Sequence, residues 1–182
     1  MRALSHIVLP LAGVAYPFVV YFGMHRVATP VFALVLGALW LMRAPGLLRQ
    51  PGGRWMVGAA LAYCLLLAFS GESALLRWYP SLISALLLVT FGLSLVYGQP
   101  FIERIARLRE PNLPAHAVRY TRTVTWVWVG FFAFNVLVSG ALTLWASLHW
   151  WTLYNGMLAY LLMGALLGGE WLLRKRMRQA YA

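Results

Sequence analysis

VTWVWVGFFAFNVLVSGALTLWASL, residues Val124–Leu148, contains no charged side chain. It exceeds the roughly 20 apolar residues needed to cross a hydrocarbon core of about 30 Å. Arg119 and Arg122 stand just before it, and the next acid or base of full charge is Glu170. The stretch therefore reads as a membrane span with one basic end. Working outward, five more apolar segments appear: Ala3–Phe22, Ala28–Met42, Trp55–Phe69, Ser81–Tyr97 and Leu153–Leu173. Thirteen of the fifteen Lys and Arg residues fall in alternate gaps: Arg2; Arg43, Arg49 and Arg54; Arg104, Arg107, Arg109, Arg119 and Arg122; Arg174, Lys175, Arg176 and Arg178. The intervening gaps hold only Arg26 and Arg77. Cytoplasmic loops are enriched in Lys and Arg, so six transmembrane helices with both termini cytoplasmic are expected, in an all-α polytopic membrane domain covering residues 1–182.

Composition agrees. Apolar residues make up 62% of the chain and charged residues 10%, against roughly 25% charged in a soluble domain. The net charge of +11 would suggest nucleic acid in a soluble protein. Here the arginines flank apolar segments, where anionic headgroups of the phospholipid bilayer account for them, and no basic domain remains to bind nucleic acid. Arg2 followed by an apolar run resembles a signal peptide, with Gly13 and Ala15 as small residues before a cleavage point. The apolar character continues through Phe22, which favours an uncleaved first span.

The second and third segments are short. A re-entrant hairpin would drive Arg43, Arg49 and Arg54 into hydrocarbon at roughly 2.5–3.5 kcal/mol each, so two full crossings with snorkelling arginines are expected. Trp40, Trp55, Trp126, Trp128 and Trp171 are assigned to a cytoplasmic aromatic belt, and Trp78, Tyr79, Trp145, Trp150 and Trp151 to a belt on the far side. Pro10 and Pro17 should kink the first span, and a short connection at 149–152 should fold the last two spans into a hairpin.

Residues 99–122 form the sizeable polar stretch. Pro100 suits the start of a helix, and Pro111 and Pro114 would end it. Phe101, Ile102, Ile105 and Leu108 are expected on one face of that short amphipathic helix, with Glu103, Arg104, Arg107 and Glu110 on the other. Glu103 and Arg107 have the favourable i,i+4 order. The loop, with Pro100, Ile102, Arg104, Arg107, Arg109, Pro114, Arg119 and Arg122 as its interaction residues, reads either as an interfacial helix docking on anionic lipid or a cytoplasmic partner, or as a helix packed under the bundle with arginines serving topology.

Gln99-Pro100-Phe101-Ile102-Glu103-Arg104, then Leu113-Pro114, then Trp128-Val129-Gly130-Phe131-Phe132 resembles the bacterial intracellular septation protein A family of small inner-membrane proteins. That family carries a similar Pro-x-Ile-x-Arg segment, a Leu-Pro and a Trp-x-x-Phe-Phe opening the next span. The resemblance covers about Leu75 to Met177. Asn135 falls about one turn earlier than the family's usual Asn, and the Arg119–Arg122 segment is more basic, so the chain looks like a divergent branch of the kind associated with aryl-polyene or polyketide gene clusters. The resemblance implies a multi-pass protein of the bacterial inner membrane in envelope biogenesis or division, with envelope or division membrane proteins as partners. It implies no reaction.

Asn135, Ser139 and Thr143 recur every four residues along one face of the fifth span, which should look into the bundle. They line a substrate path or they make interhelical hydrogen bonds; no ionisable residue joins them by spacing. Gly164 and Gly168 form a small-xxx-small pair that serves packing inside the bundle or a homo-oligomer interface. Glu170 lies one turn before Arg174 and is expected to form a boundary ion pair with it rather than to carry protons. The chain has no Asp, four Glu and one Cys. Two-carboxylate catalysis and multi-cysteine metal sites lack raw material, and His6, His25, His116 and His149 are scattered. Cys64, inside a span, is poorly placed to form a reactive thiolate. A pocket joining Glu103, His116 and Tyr120 would be needed for lipid chemistry, and spacing supports none. The expected function is a non-enzymatic membrane scaffold without cofactors; the alternative is a small transporter or flippase for an apolar, lipid-like or polyene product.

Overall fold

The computed structural model describes residues 2–24, 26–49, 52–108 and 110–180, with side chains from residue 13 to residue 174 within those ranges. Every regular element among them is helical: α1 (Arg2–Gly23), α2 (Thr29–Leu47), α3 (Gly53–Ser70), α4 (Ser73–Leu76), α5 (Tyr79–Val96), α6 (Phe101–Arg107), α7 (Ala115–Trp145), α8 (Leu148–Leu153), a π-helical turn at Tyr154–Leu158, and α9 (Ala159–Ala180). α2, α3, α5, α7 and the continuous rod from Leu148 to Arg174 are long and apolar enough to cross a membrane.

Local chemistry sets the boundaries. Pro30 and Pro80 sit in the first turns of α2 and α5, where the missing N–H has no intrahelical partner to lose. α3 ends on Gly71 at φ 65°, whose N–H returns 3.3 Å to the Leu67 carbonyl, a left-handed stop that glycine adopts freely. At the α2–α3 turn, a Cβ on Gly53 would collide with the Leu47 carbonyl, so only glycine fits there.

Several expected boundaries shift. α2 and α3 run 19 and 18 residues, about 27–29 Å at 1.5 Å per residue. α2 is longer than its apolar segment because Ala44-Pro45-Gly46 continues the helix, and α3 because Gly53 and Arg54 open it and Ser70 closes it. α7 begins at Ala115 rather than 124 and ends at Trp145. Its 31 residues span about 46 Å, well beyond a hydrocarbon core. Arg119 and Arg122 therefore sit on the opening turns of a long helix, not in a loop. The hairpin that follows turns at Ala146–Ser147, earlier than expected, because Leu148 already begins α8.

Two apolar cores form. The first joins Tyr16 and Val20 of α1, Phe32, Leu36 and Trp40 of α2, Val57, Cys64 and Leu67 of α3, Leu76 of α4 and Trp151 of α8. The second joins Phe91 of α5 with Val124, Trp128, Phe131 and Phe132 of α7, and Phe101, Ile102, Met163 and Leu166 pack against it. Its rings make a tight cluster, with centroids 4.3 Å apart for Phe91–Phe101 and 5.2 Å for Phe91–Phe132. The assignment of Trp40, Trp128 and Trp151 to interfacial belts is corrected: they are buried, Trp151 completely. Tyr79, also assigned to a belt, packs against the first core. Trp55, Trp126, Trp145, Trp150 and Trp171 remain exposed. So do Leu34, Leu137, Leu161 and Phe69. Water rejects a surface this apolar; hydrocarbon accepts it.

Candidate functional site: a polar network beside an apolar cavity

The every-fourth-residue stripe on α7 points inward, and its three side chains are buried. Asn135 donates from Nδ2 to Ser84 Oγ of α5 at 3.1 Å and accepts at Oδ1 from the Tyr154 hydroxyl at 2.7 Å. Ser139 donates to Asn155 Oδ1 at 2.8 Å and receives Ser81 Oγ at 2.9 Å. Asn155 Nδ2 donates to the Trp151 carbonyl at 2.9 Å. One α7 face is thus stitched to α5 and to the rod that follows it. Among apolar surroundings each bond spares a polar group an unpaired burial.

Sequence spacing misses the charged member of this network. The Arg77 carbonyl accepts from Thr143 Oγ1 and from Trp151 Nε1, both at 3.0 Å. Its guanidinium donates from Nη2 to the carbonyls of Leu142 at 2.9 Å and Ala146 at 2.8 Å. The Leu142 carbonyl also takes the Ala146 N–H at 3.1 Å, whereas the Ala146 carbonyl lies just past the last turn of α7; both stand at the negative end of the helix dipole. Burial pushes the Arg77 guanidinium down from its ordinary value, yet a guanidinium stays charged under any working condition. The expectation that no ionisable group joins the stripe is therefore corrected. The signal was thin: Arg77 was one of only two cations in the sparse gaps.

Beside the network lies a cavity of about 470 Å³ between α1, α2, α5, α7 and the rod that contains the π turn. Asn135, Asn155 and Ser84 face it from the network, Tyr79 and Tyr160 add hydroxyls, Arg43 adds a cation, and Leu36, Leu39, Leu87, Phe132 and Met163 supply apolar wall. Asn155 belongs to the π turn; such turns open one helical step and occur frequently at functional sites. The turn is held closely: a Cβ on Gly156 would stand 2.8 Å from the Phe18 ring.

The loop candidates are dispersed. Pro100 is buried ahead of α6, and the Phe101 N–H donates to Ser94 Oγ at 2.9 Å, fastening α6 to α5. Ile102 packs on the second core. The expected faces of α6 are corrected: Glu103 is only 4% exposed, whereas Ile105 and Leu108 are 48% and 85% exposed. Arg107 explains the inversion, since it pairs with Glu103 Oε1 at 2.7 Å and also reaches the Pro111 carbonyl at 2.9 Å. Arg104 turns into a groove of about 480 Å³ between α3 and α5, beside Trp55, Leu93 and Tyr97. Pro114 precedes α7, and Arg119 and Arg122 are exposed on it, with Arg122 reaching the Leu95 carbonyl at 3.3 Å. Arg109 lies outside the described residues.

Gly164 and Gly168 face outward, with nothing within 4 Å of a Cβ built on either, so packing inside the bundle is not their role. The expected Glu170–Arg174 pair is also corrected: the ion pair among the described residues is Arg107–Glu103, and the Glu170 carbonyl instead accepts the Tyr120 hydroxyl at 3.2 Å. Glu103 and Tyr120 are thus committed to separate partners. No three metal-ligating side chains cluster among the described residues. Compared with protein-family models, curated proteins and solved structures, the chain matches none.

Proposed function

We propose that this protein crosses a bacterial inner membrane six times, with α1 as the first span and both termini cytoplasmic, and that it binds and passes on a lipid-like molecule within its helix bundle. The observation that carries this reading is the cavity between the two cores. It pairs apolar walls with hydrogen-bonding groups, the combination that small amphiphiles require, and its volume falls in the range of small-ligand sites. Of the two readings open for the Asn135 stripe, a polar lining for a substrate path gains support because Asn135 itself reaches the cavity.

Native mass spectrometry of protein released from membranes tests it. The wild-type chain should retain a bound lipid-like molecule, and Leu87→Trp, which fills the cavity from α5, should lose most of it while keeping its helical circular dichroism. Wild-type retention in a folded Leu87→Trp variant would remove the cavity from the proposal. Movement of a fluorescent amphiphile across proteoliposomes, lowered by Asn135→Leu, then separates transport from binding.

A scaffolding role in envelope biogenesis or division, implied by the resemblance to the septation protein family, is the second reading. It is favoured by the exposed Arg119 and Arg122 on the opening turns of α7, which can meet anionic headgroups or a partner protein, and by the outward Gly164 and Gly168 as a self-association face. Charge reversal at Arg119 and Arg122 should then weaken recruitment in a pull-down and spare lipid retention.

A further inference from the structure

The cavity is unequal in its hydrogen-bonding groups, and that inequality bears on what fills it. Its amide oxygens are each already engaged by one donor: that of Asn135 receives Tyr154, and that of Asn155 receives Ser139. Its donors are in surplus. The Tyr79 oxygen accepts from Trp40 Nε1 at 3.0 Å, which leaves the Tyr79 O–H to give elsewhere. Ser84 Oγ accepts from Asn135 and likewise keeps its own proton available. Tyr160 adds a third hydroxyl to the wall. Arg43, an exposed residue, lines the same space and is an electrostatic neighbour of both Tyr79 and Tyr160. None of the chain's four acids is on the wall; they are Glu72, Glu103, Glu110 and Glu170.

A site rich in donors, with one guanidinium and no carboxylate, complements a group that only accepts. We propose that the occupant is an anionic amphiphile whose acid head, a carboxylate or phosphate monoester, is held by Arg43, Tyr79 and Tyr160 while its chain lies against Leu87, Phe132 and Met163. The guanidinium fork offers two parallel N–H groups to two oxygens of such a head, and charge-assisted bonds of this kind are roughly twice as strong as neutral ones. This rests on the reading of the cavity as a lipid-like binding site and adds the chemistry of the head.

The test uses the full chain in nanodiscs of zwitterionic phosphatidylcholine, with three radiolabelled probes of equal chain length: hexadecanoic acid, monohexadecyl phosphate and hexadecanol. At a pH where both acids are ionised, one or both should bind at least about tenfold more tightly than the alcohol. Arg43→Gln should remove that advantage and leave alcohol binding unchanged. Arg43→Lys should restore part of it and shows that the site still folds. Equal binding of acids and alcohol to the wild-type chain, or an equal loss of all three in Arg43→Gln, overturns the anionic assignment and leaves the cavity as a lipid-like site. Failure of every probe to bind the wild-type chain overturns the cavity reading with it.

Discussion

Arg77 gives its guanidinium to two carbonyls of α7 and takes at its own carbonyl one donor from α7 and one from α8. Hydrogen bonds to charged groups contribute about 1.5–3 kcal/mol. Arg77→Ala should therefore lower the unfolding free energy in mixed micelles by about 2 kcal/mol, and Arg77→Lys should recover only part, since an ammonium cannot reproduce the fork. An unchanged denaturation midpoint would show that the α7 end needs no cap. Spacing alone reveals Asn135, Ser139 and Thr143 as one inward face, because a four-residue repeat is a property of one helix. It cannot reveal Arg77, Ser84 or Asn155, which reach that face only after three helices pack. The tryptophans illustrate the same limit: an indole suits a headgroup layer and a core equally, and Trp40 and Trp151 are in the core because Tyr79 and Arg77 offer their N–H groups a partner.

At the scale of the element, α6 is a short piece held by a few identifiable contacts. Seven residues are too few for a self-supporting helix. Phe101 and Ile102 on the aromatic core, the Ser94 hydroxyl at its first N–H, and the Glu103–Arg107 pair hold it. Glu103→Ala removes the pair and should speed hydrogen exchange over residues 101–107 severalfold, corresponding to about 1 kcal/mol. Arg104→Ala, which touches the neighbouring groove instead, should leave that exchange unchanged. Exchange unaffected by Glu103→Ala would assign the docking to the aromatic contacts alone. The existence of a helix after Pro100 was legible in the chain. Its orientation was not, because a buried Glu paired one turn ahead with Arg107 reads in sequence like an exposed ion pair.

The whole molecule presents apolar side chains on its outside and divides its inside between two cores and a cavity. Charge distribution predicts the topology independently of packing: a reporter that works only in the cytoplasm should be active when fused after residue 182 and inactive when inserted at Glu72. Activity at Glu72 would reverse the assignment. The helical class was legible, and five of the six expected spans correspond to helices long and apolar enough to cross a membrane, since hydropathy depends on solvent alone; the cavity was not, because its wall is drawn from five helices far apart in the chain. The π turn at Tyr154–Leu158 has a consequence for how one rod serves both cores. With strict helical phase, Trp151 and Met163 would project roughly 120° apart, but one additional residue in the turn brings them within about 20°. Trp151 enters the first core and Met163 the second from nearly the same side. Any single-residue length change inside this turn would rotate everything beyond it by about 100°, so this short stretch works as a phase adjuster whose residue number is constrained as well as its residue types.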